Sequence, residues 1–135
     1  MGRCVRRLLD SNICIAYLHR GDPRVVQKLA QLKPRDVVLC SIVKAELLYG
    51  ARHSQRVQEN LERLTKFFTN FESLTFDDIS AGFNGSNRAL LTQAGTPIGA
   101  HDLLIASIAL AHDLVVVTRN TSEFMRIPAL RLESW

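Results

Sequence analysis

Short apolar runs separated by longer helical patterns constrain the fold of this chain more than any other feature. The runs VVLCS (37–41) and LVVVT (114–118) are continuous in apolar residues, as strands buried on both faces of a parallel sheet are. Further strands are predicted at 5–9, at ESLTF (72–76) and, at a sheet edge, at LRLESW (130–135). Since strands that alternate with helices build layered folds, we expect a three-layer α/β domain with a mainly parallel central sheet flanked by helices.

The helices are predicted from apolar residues at helical spacing. They are expected at 11–20, around 25–32, at 42–51 with Gly50 as the C-terminal cap, and at 54–70, 77–94 and 101–113. The last of these, HDLLIASIALAHD, is nearly all apolar and must therefore be buried. No linker or repeat divides the 135 residues, so we expect a single domain over 1–135.

Composition excludes several classes of protein. No apolar stretch reaches the roughly 18 residues of a membrane span, and MGRCVRRLLD lacks the apolar core of a signal peptide. The cysteines Cys4, Cys14 and Cys40 lack CxxC spacing, which favours free thiols in a reducing cytoplasm over disulfides or zinc ligands. Lys and Arg number 17 against 13 acids, an excess that suits a polyanionic partner and an ordinary solvated surface equally well.

Acids and amides follow the predicted strands. Asp10 lies in LLDSN after the first strand, Glu46 lies one turn beyond VVLCS, Asp102 opens the apolar helix, and Asn120 and Glu123 follow LVVVT. Each of them has an ordinary structural explanation as a helix cap, a solvated acid or a turn residue. Because sites in parallel sheets form just beyond the carboxyl ends of the strands, their joint placement instead favours one functional site.

Crowded carboxylates repel one another and need a counter-charge, either from Lys and Arg or from a divalent metal. The donors here are oxygens, and no Cys or His stands at metal-ligand spacing. Such a donor set favours the hard cation Mg²⁺, with Mn²⁺ as a substitute, over zinc.

Four segments carry a resemblance to a known family: LLDSN, SIVKAELLYGA, GTPIGAHDLLIASIALAHDLVVVTRNTSEF and IPALRLESW. They resemble PIN-domain ribonucleases, and within that superfamily VapC-type toxins of toxin–antitoxin pairs, over nearly the whole chain. The resemblance implies a PIN-like fold and a Mg²⁺-dependent endoribonuclease, with tRNA and in particular initiator tRNA as candidate substrates. It also implies a VapB-like antitoxin, whose C-terminal segment lies across the acidic site, and a homodimer.

The same resemblance assigns roles to individual residues. Asp10, Glu46 and Asp102 match the acids of the family, and we expect them to hold the metal. Ser11 would line the site, and Asn12 would orient neighbouring carboxylates by hydrogen bonds. The fourth acidic position of the family is Asn120 here, a neutral ligand at best, and Glu123 is the other candidate for that position.

Basic residues near the predicted site are candidates for phosphate contacts. They are Arg119, Lys44 and Arg52, and a solvated-surface role explains each of them equally well. His101, beside Asp102, could reach a substrate, but we favour a loop residue without a catalytic role.

Other readings fit less well. A haloacid-dehalogenase-like phosphotransferase with Asp10 as nucleophile needs a second Asp where this chain has Asn12, and a receiver-like domain needs a Lys where it has VVVTRN. No G-x-G-x-x-G or Walker A motif is present. The alternative function is a catalytically weak or inactive PIN-fold module that binds RNA or protein, for which the neutral Asn120 leaves room.

Overall fold

Five strands form one sheet in the computed structural model, which describes residues 5–135. They are β1 (Arg7–Leu9), β2 (Val37–Cys40), β3 (Glu72–Leu74), β4 (Val115–Val117) and β5 (Arg131–Glu133), in the order β3-β2-β1-β4-β5. Every pairing within these residues is parallel, with Leu8 opposite both Val38 and Val116. The predicted α/β class and the edge position of the last strand are confirmed. The prediction for Cys4 lies outside the described residues.

Helices flank this sheet and connect its strands. They are α1 (Ser11–Leu18), α2 (Pro23–Ala30), α3 (Ser41–Arg52), α4 (Val57–Phe68), α5 (Asp78–Gln93), α6 (Ala100–Ala111) and the short α7 (Thr121–Phe124), with a 3₁₀ turn at Pro34–Asp36. Every helix expected from apolar periodicity is present. In the part of the chain that the structure describes, none of the helices is long and apolar enough to cross a membrane.

The junction between α3 and α4 differs from the prediction. Gly50 does not cap α3, which continues to Arg52 and thereby buries Ala51. Ser54 does not open α4 either, because its hydroxyl donates to the main-chain oxygen of Ala51 at 2.5 Å and accepts from the Asn60 amide at 2.9 Å. Ser54 therefore closes α3, and α4 begins only at Val57.

The core is built from the central strands and from α6. All four residues of β2 are buried, as are Leu8 and Leu9 of β1 and six of the twelve residues of α6, so the apolar face of that helix lies in the core as predicted. The large exposed apolar side chains lie mainly on α3 (Leu48, Tyr49) and on α5 (Ile79, Phe83, Leu90). Most of the large apolar side chains of α2 and α4 pack against the core, and Val26 is the exposed exception.

The topology creates a crevice beyond β1 and β4. The chain leaves β1 towards β2 on one side of the sheet order and leaves β4 towards β5 on the other. Such a switch point leaves a gap at the carboxyl ends of the two strands, where α/β proteins place their sites. Asp10 follows β1 directly and Asn120 lies shortly after β4, so both stand at this crevice.

The core packing predicts the outcome of a cavity-forming substitution. Leu39→Ala, in the fully buried β2, should lower the free energy of unfolding by about 2–5 kcal/mol because it removes packed methyl groups and leaves a cavity. Chemical denaturation measures this loss. Leu48→Ala, at an exposed leucine of α3, is the matched control and should change stability by no more than about 0.5 kcal/mol.

Candidate active site

Asp10 is the most deeply buried acid of the site. It is 5% exposed and caps α1 by accepting a hydrogen bond from the N–H of Ile13 at 3.0 Å. Its own N–H donates to the main-chain oxygen of Val117 at 3.1 Å. The end of β1, the start of α1 and the end of β4 are therefore joined at this one residue.

Burial raises the pKa of Asp10, and the negative charge of Glu46 adds to this rise. Three donors act in the opposite direction: the Thr118 hydroxyl and the backbone N–H groups of Ile13 and Asn12. Burial outweighs these donors, so the charged form of Asp10 is short of stabilising partners. A cation beside it would supply what the hydrogen bonds do not.

Ser11 and Asn12 occupy different positions relative to Asp10. The Ser11 hydroxyl is buried and has no hydrogen-bond partner among the described residues, and its position in the wall of the site stays a prediction. The Asn12 side chain is exposed, and the residue contributes its backbone N–H to Asp10. Its amide group does not make the carboxylate contacts expected from the sequence in residues 5–135.

Asn120 links Asp102 and Glu123. Its side-chain nitrogen donates to Asp102 Oδ2 at 3.2 Å and to Glu123 Oε2 at 2.5 Å. The other Glu123 oxygen, Oε1, accepts from the backbone N–H of Gly99 at 3.0 Å. Asn120 thus acts as a hydrogen-bond donor between two acids, and both oxygens of Glu123 are already occupied.

The surroundings of Asp102 and Glu123 shift the pKa values of the two acids in opposite directions. Burial raises the pKa of Asp102 to about 6, and the hydrogen bond with Glu123 and the charge of Glu123 contribute. The Asn120 amide and the Gly99 N–H hold the pKa of Glu123 below its usual value. In mildly acidic solution the proton therefore resides on Asp102, while Glu123 is charged.

Glu46 approaches the same crevice from α3. Its Oε1 is buried and makes no hydrogen bond to the part of the chain that the structure describes, and His101 Nδ1 lies 3.8 Å from it. His101 belongs to the first turn of α6, as the helix predicted over 101–113 implies, and not to the loop favoured for it. The buried Glu46 oxygen is thus a further acceptor available to a cation.

The basic residues proposed for phosphate contacts are engaged elsewhere or lie apart. Lys44 Nζ lies 4.8 Å from the centre of the Phe68 ring. Arg119 donates to the main-chain oxygen of Trp135 and to Asp22. Arg52 is exposed in the last turn of α3. Within residues 5–135 none of these three side chains is paired with an acid of the site.

Comparison with known proteins assigns this fold and site to a family. The family model of the PIN domain matches residues 7–130. The chain belongs to the PIN-domain family. Two relatives within it are the tRNA(fMet)-specific endonuclease VapC of Salmonella typhimurium, 38% identical over 128 residues, and Ribonuclease VapC2 of Rickettsia felis, 38% identical over 129 residues. Each alignment covers 95% of this chain and 96% of the relative.

Solved structures give the same assignment. Rickettsia felis VapBC2 bound to a promoter DNA fragment contains a chain 35% identical to this one, with a TM-score of 0.91 and coverage of 97% of this chain and 99% of the other. DNA-bound VapBC from Salmonella typhimurium gives 36% identity, a TM-score of 0.91 and coverage of 97% and 98%. The predicted resemblance to PIN domains of the VapC type is confirmed.

Two residues of this PIN domain site were missed in the sequence. Thr118 is fully buried, its hydroxyl interacts with Asp10, and its Oγ1 accepts the N–H of Asn120 at 2.9 Å. The signal for it was a polar residue closing the apolar run LVVVT. Gly99 contributes only its N–H, and nothing in GTPIG distinguishes that contact from an ordinary loop.

The donor chemistry of this PIN domain fits a hard divalent cation. No group of three or more His, Cys, Asp or Glu side chains within residues 5–135 is already arranged to hold a metal ion. Two buried oxygens nonetheless make no hydrogen bond to residues 5–135, Ser11 Oγ and Glu46 Oε1, and two acids of the crevice, Asp10 and Asp102, have raised pKa values. Mg²⁺ and Mn²⁺ prefer such oxygen ligands.

The raised pKa of Asp102 predicts how stability depends on pH in this PIN domain. Between the usual pKa of 3.8 and about 6, Asp102 binds more protons in the folded chain than in the unfolded chain. Its contribution to stability without metal should therefore be lost as pH rises through this interval. Asp102→Asn should remove that slope and raise Tm at pH 7.5 in EDTA by about 2–5 °C, because its amide donates to Glu123 as the protonated acid does.

Scanning calorimetry across this pH range measures both effects. Asp113→Asn is the control. Asp113 lies just before β4, at the amino ends of the strands and away from the site, and it pairs with Arg131. This variant should retain the slope and should not melt higher than wild type. An unchanged slope in Asp102→Asn would show that another group titrates.

Proposed function

We propose that this PIN domain is a Mg²⁺-dependent endoribonuclease that hydrolyses RNA phosphodiester bonds and acts as the toxin of a toxin–antitoxin pair. The observation that carries the proposal is the group of acids, Asp10 buried and Asp102 and Glu46 half-buried, at the carboxyl ends of the strands. Asp10 and Asp102 have raised pKa values, and Glu46 has a buried oxygen without a described hydrogen-bond partner. Membership of a family whose relatives are named as ribonucleases supports the reaction type.

Asp10, Asp102 and Glu46 are the residues proposed to hold the metal. When bound, Mg²⁺ or Mn²⁺ supplies positive charge that offsets charge developing on the phosphate and favours ionisation of an attacking water. Asp102 must lose its proton to serve as a ligand, so metal binding and protonation compete at this residue. The Asn120 amide then remains between the charged Asp102 and Glu123 as a donor to both.

Other residues of the chain keep these ligands oriented. The Thr118 hydroxyl and the N–H groups of Ile13 and Asn12 hold the Asp10 carboxylate. The N–H of Gly99 holds Glu123, which in turn faces Asp102. Hydrogen bonds of this kind around metal ligands fix ligand orientation and strengthen binding.

RNA is the proposed substrate, and tRNA is the proposed class of RNA. Support comes from the net charge of +4, which suits a polyanion, and from the ribonuclease names of the relatives. The Salmonella typhimurium relative is named as specific for tRNA(fMet). We therefore include initiator tRNA as the first substrate to test.

A VapB-like antitoxin is the proposed partner. The solved relatives are VapBC complexes, and a basic residue of an antitoxin placed among the acids would supply the counter-charge that they lack. We also propose a homodimer. The exposed Ile79, Phe83 and Leu90 of α5 are apolar, and their spacing places them on one stripe of the helix, which a second copy would cover.

Catalysis by the metal site predicts the effect of neutral substitutions. Asp10→Asn and Asp102→Asn should each lower the rate of RNA cleavage by about a thousandfold or more, because each removes a ligand charge without changing shape. Glu46→Gln should lower it by about ten- to a hundredfold. The rates are measured on labelled initiator tRNA with Mg²⁺ and again with EDTA, which should abolish cleavage by the wild type.

Asp113→Asn is the control for these variants and should cleave at the wild-type rate. Circular dichroism checks that every variant is folded. Tight RNA binding without cleavage in the wild type would instead support a PIN-fold binding module. Full activity in Asp10→Asn would contradict the metal assignment.

The neutral fourth position predicts a separate effect. Asn120→Asp replaces the donor between Asp102 and Glu123 with a third negative charge, so Tm in EDTA should fall and the rise in Tm on adding Mg²⁺ should exceed that of the wild type. Asn120→Ala removes the hydrogen-bond donor without adding a charge. Comparing the two variants therefore separates the effect of losing the donor from the effect of the added charge. Differential scanning fluorimetry over a Mg²⁺ titration measures them.

Glu123→Gln extends this comparison. Both Glu123 oxygens accept hydrogen bonds, and a Gln side chain has only one oxygen, so the Gln variant should lose one of these hydrogen bonds. This loss should loosen the contacts that orient Asp102 and thereby weaken Mg²⁺ binding. If Asn120→Asp melts like wild type without metal, Asn120 does not lie between two charged acids as described.

A further inference from the structure

Arg119 joins two distant parts of the chain beside the site. Its Nε donates to the main-chain oxygen of Trp135 at 2.8 Å, and its Nη2 donates to Asp22 Oδ2 at 2.8 Å. Asp22 also caps α2, since its Oδ1 accepts from the N–H groups of Arg24 at 3.0 Å and Val25 at 3.4 Å. We call Arg119, Asp22 and Trp135 the Arg119 clasp.

The clasp is anchored to the sheet. Trp135 is 2% exposed, and its Nε1 donates to Glu133 Oε1 at 2.7 Å. Glu133 also accepts from Arg7 Nε of β1 at 3.1 Å. Because each partner of Arg119 is fixed by further contacts, the guanidinium holds its segment against a rigid support, unlike an isolated surface ion pair.

The segment 118–120 contains three consecutive side chains, each of which contacts a different part of the protein. Thr118 reaches Asp10, Arg119 reaches the clasp, and Asn120 reaches Asp102 and Glu123. The main chain between them is short and tied down, since the Thr118 N–H donates to the Glu133 oxygen at 3.0 Å and the Asn120 N–H donates to Thr118 Oγ1 at 2.9 Å. A shift of Arg119 would therefore move both of its neighbours.

We propose that Arg119 is a positioning residue, which acts through Asp22 and Trp135 to hold the Thr118 hydroxyl and the Asn120 amide against the acids of the site. The inference deepens the proposed function, on which it rests for the role of those acids. It replaces the phosphate contact considered from the sequence. The Nε and Nη2 atoms of the guanidinium already donate hydrogen bonds, and the neighbouring Asp22 carboxylate offsets its charge.

The test compares Arg119→Met with Asp22→Asn. Asn retains the α2 cap but removes the charged partner of Arg119, so both variants open the clasp from opposite sides. Each should weaken Mg²⁺ binding, measured as the midpoint of the Mg²⁺-dependent rise in Tm, by about tenfold. Each should also lower kcat on initiator tRNA by about tenfold and leave KM within about twofold of wild type.

Arg131→Met is the matched control. Arg131 also donates to one main-chain oxygen and one carboxylate, both of Asp113, at 2.8 and 2.9 Å. Arg131 is the first residue of β5, so it lies at the amino ends of the strands, away from the site. This variant should keep the wild-type Mg²⁺ midpoint and kcat. Arg119→Lys retains a charged donor group and should therefore recover part of the Mg²⁺ affinity and kcat lost in Arg119→Met.

A phosphate contact would give a different pattern. Arg119→Met would then raise KM and reduce the salt dependence of RNA binding with an unchanged Mg²⁺ midpoint, and Asp22→Asn would bind RNA as tightly as wild type or more tightly. That result overturns the proposal.

Amide hydrogen exchange in the metal-free protein separates this inference from the proposed function. Opening the clasp should speed exchange at Thr118 and Asn120 in both variants, whatever reaction the protein catalyses. Unchanged exchange at both amides in the folded Asp22→Asn protein overturns the clasp. Loss of the Mg²⁺ response in the wild type would instead contradict the proposed function.

Discussion

The buried carboxylate of Asp10 couples the fold of this protein to its site. A charge removed from water is costly unless hydrogen bonds replace its hydration, and here the donors come from two separate elements. The start of α1 provides the N–H groups of Ile13 and Asn12, and the end of β4 provides the Thr118 hydroxyl. The pairing of β1 with β4, the first turn of α1 and the orientation of Asp10 therefore depend on one another. A change in any of them alters the other two.

The neutral Asn120 reduces the cost in folding stability of placing several carboxylates close together. A fourth carboxylate at this position would face Asp102 and Glu123 with no donor between them, and like charges in a partly buried site raise one another's pKa values. The amide instead bonds to both acids. This arrangement leaves enough negative charge to attract a cation, while the folded chain does not require that cation in order to satisfy Glu123.

The sequence predicted the parts of this structure that depend on local pattern and on the general geometry of parallel sheets. Continuous apolar runs predicted β2 and β4, and the rule that sites lie beyond strand ends placed Asp10 and Asn120 at one edge. The partners of Arg119 could not be predicted in this way, because Asp22 and Trp135 are 97 and 16 residues away along the chain. The junction of α3 and α4 was likewise missed, because the side-chain hydrogen bonds of Ser54 to Ala51 and Asn60 leave no signal in the apolar pattern.

Asp102 shows which electrostatic effect prevails at the crevice. It lies in the first turn of α6, where the helix dipole favours a negative charge by about 0.3–1 kcal/mol, and the Asn120 amide adds to that stabilisation. Burial and the neighbouring Glu123 nevertheless raise the pKa of Asp102 to about 6. The dipole and the amide are thus too weak to keep the pKa of Asp102 at its usual value, whereas a full positive charge beside the acids would lower it. A divalent cation during catalysis and a basic side chain of an antitoxin during inhibition would satisfy the same deficit, so the two proposed states of the protein are alternatives at a single site.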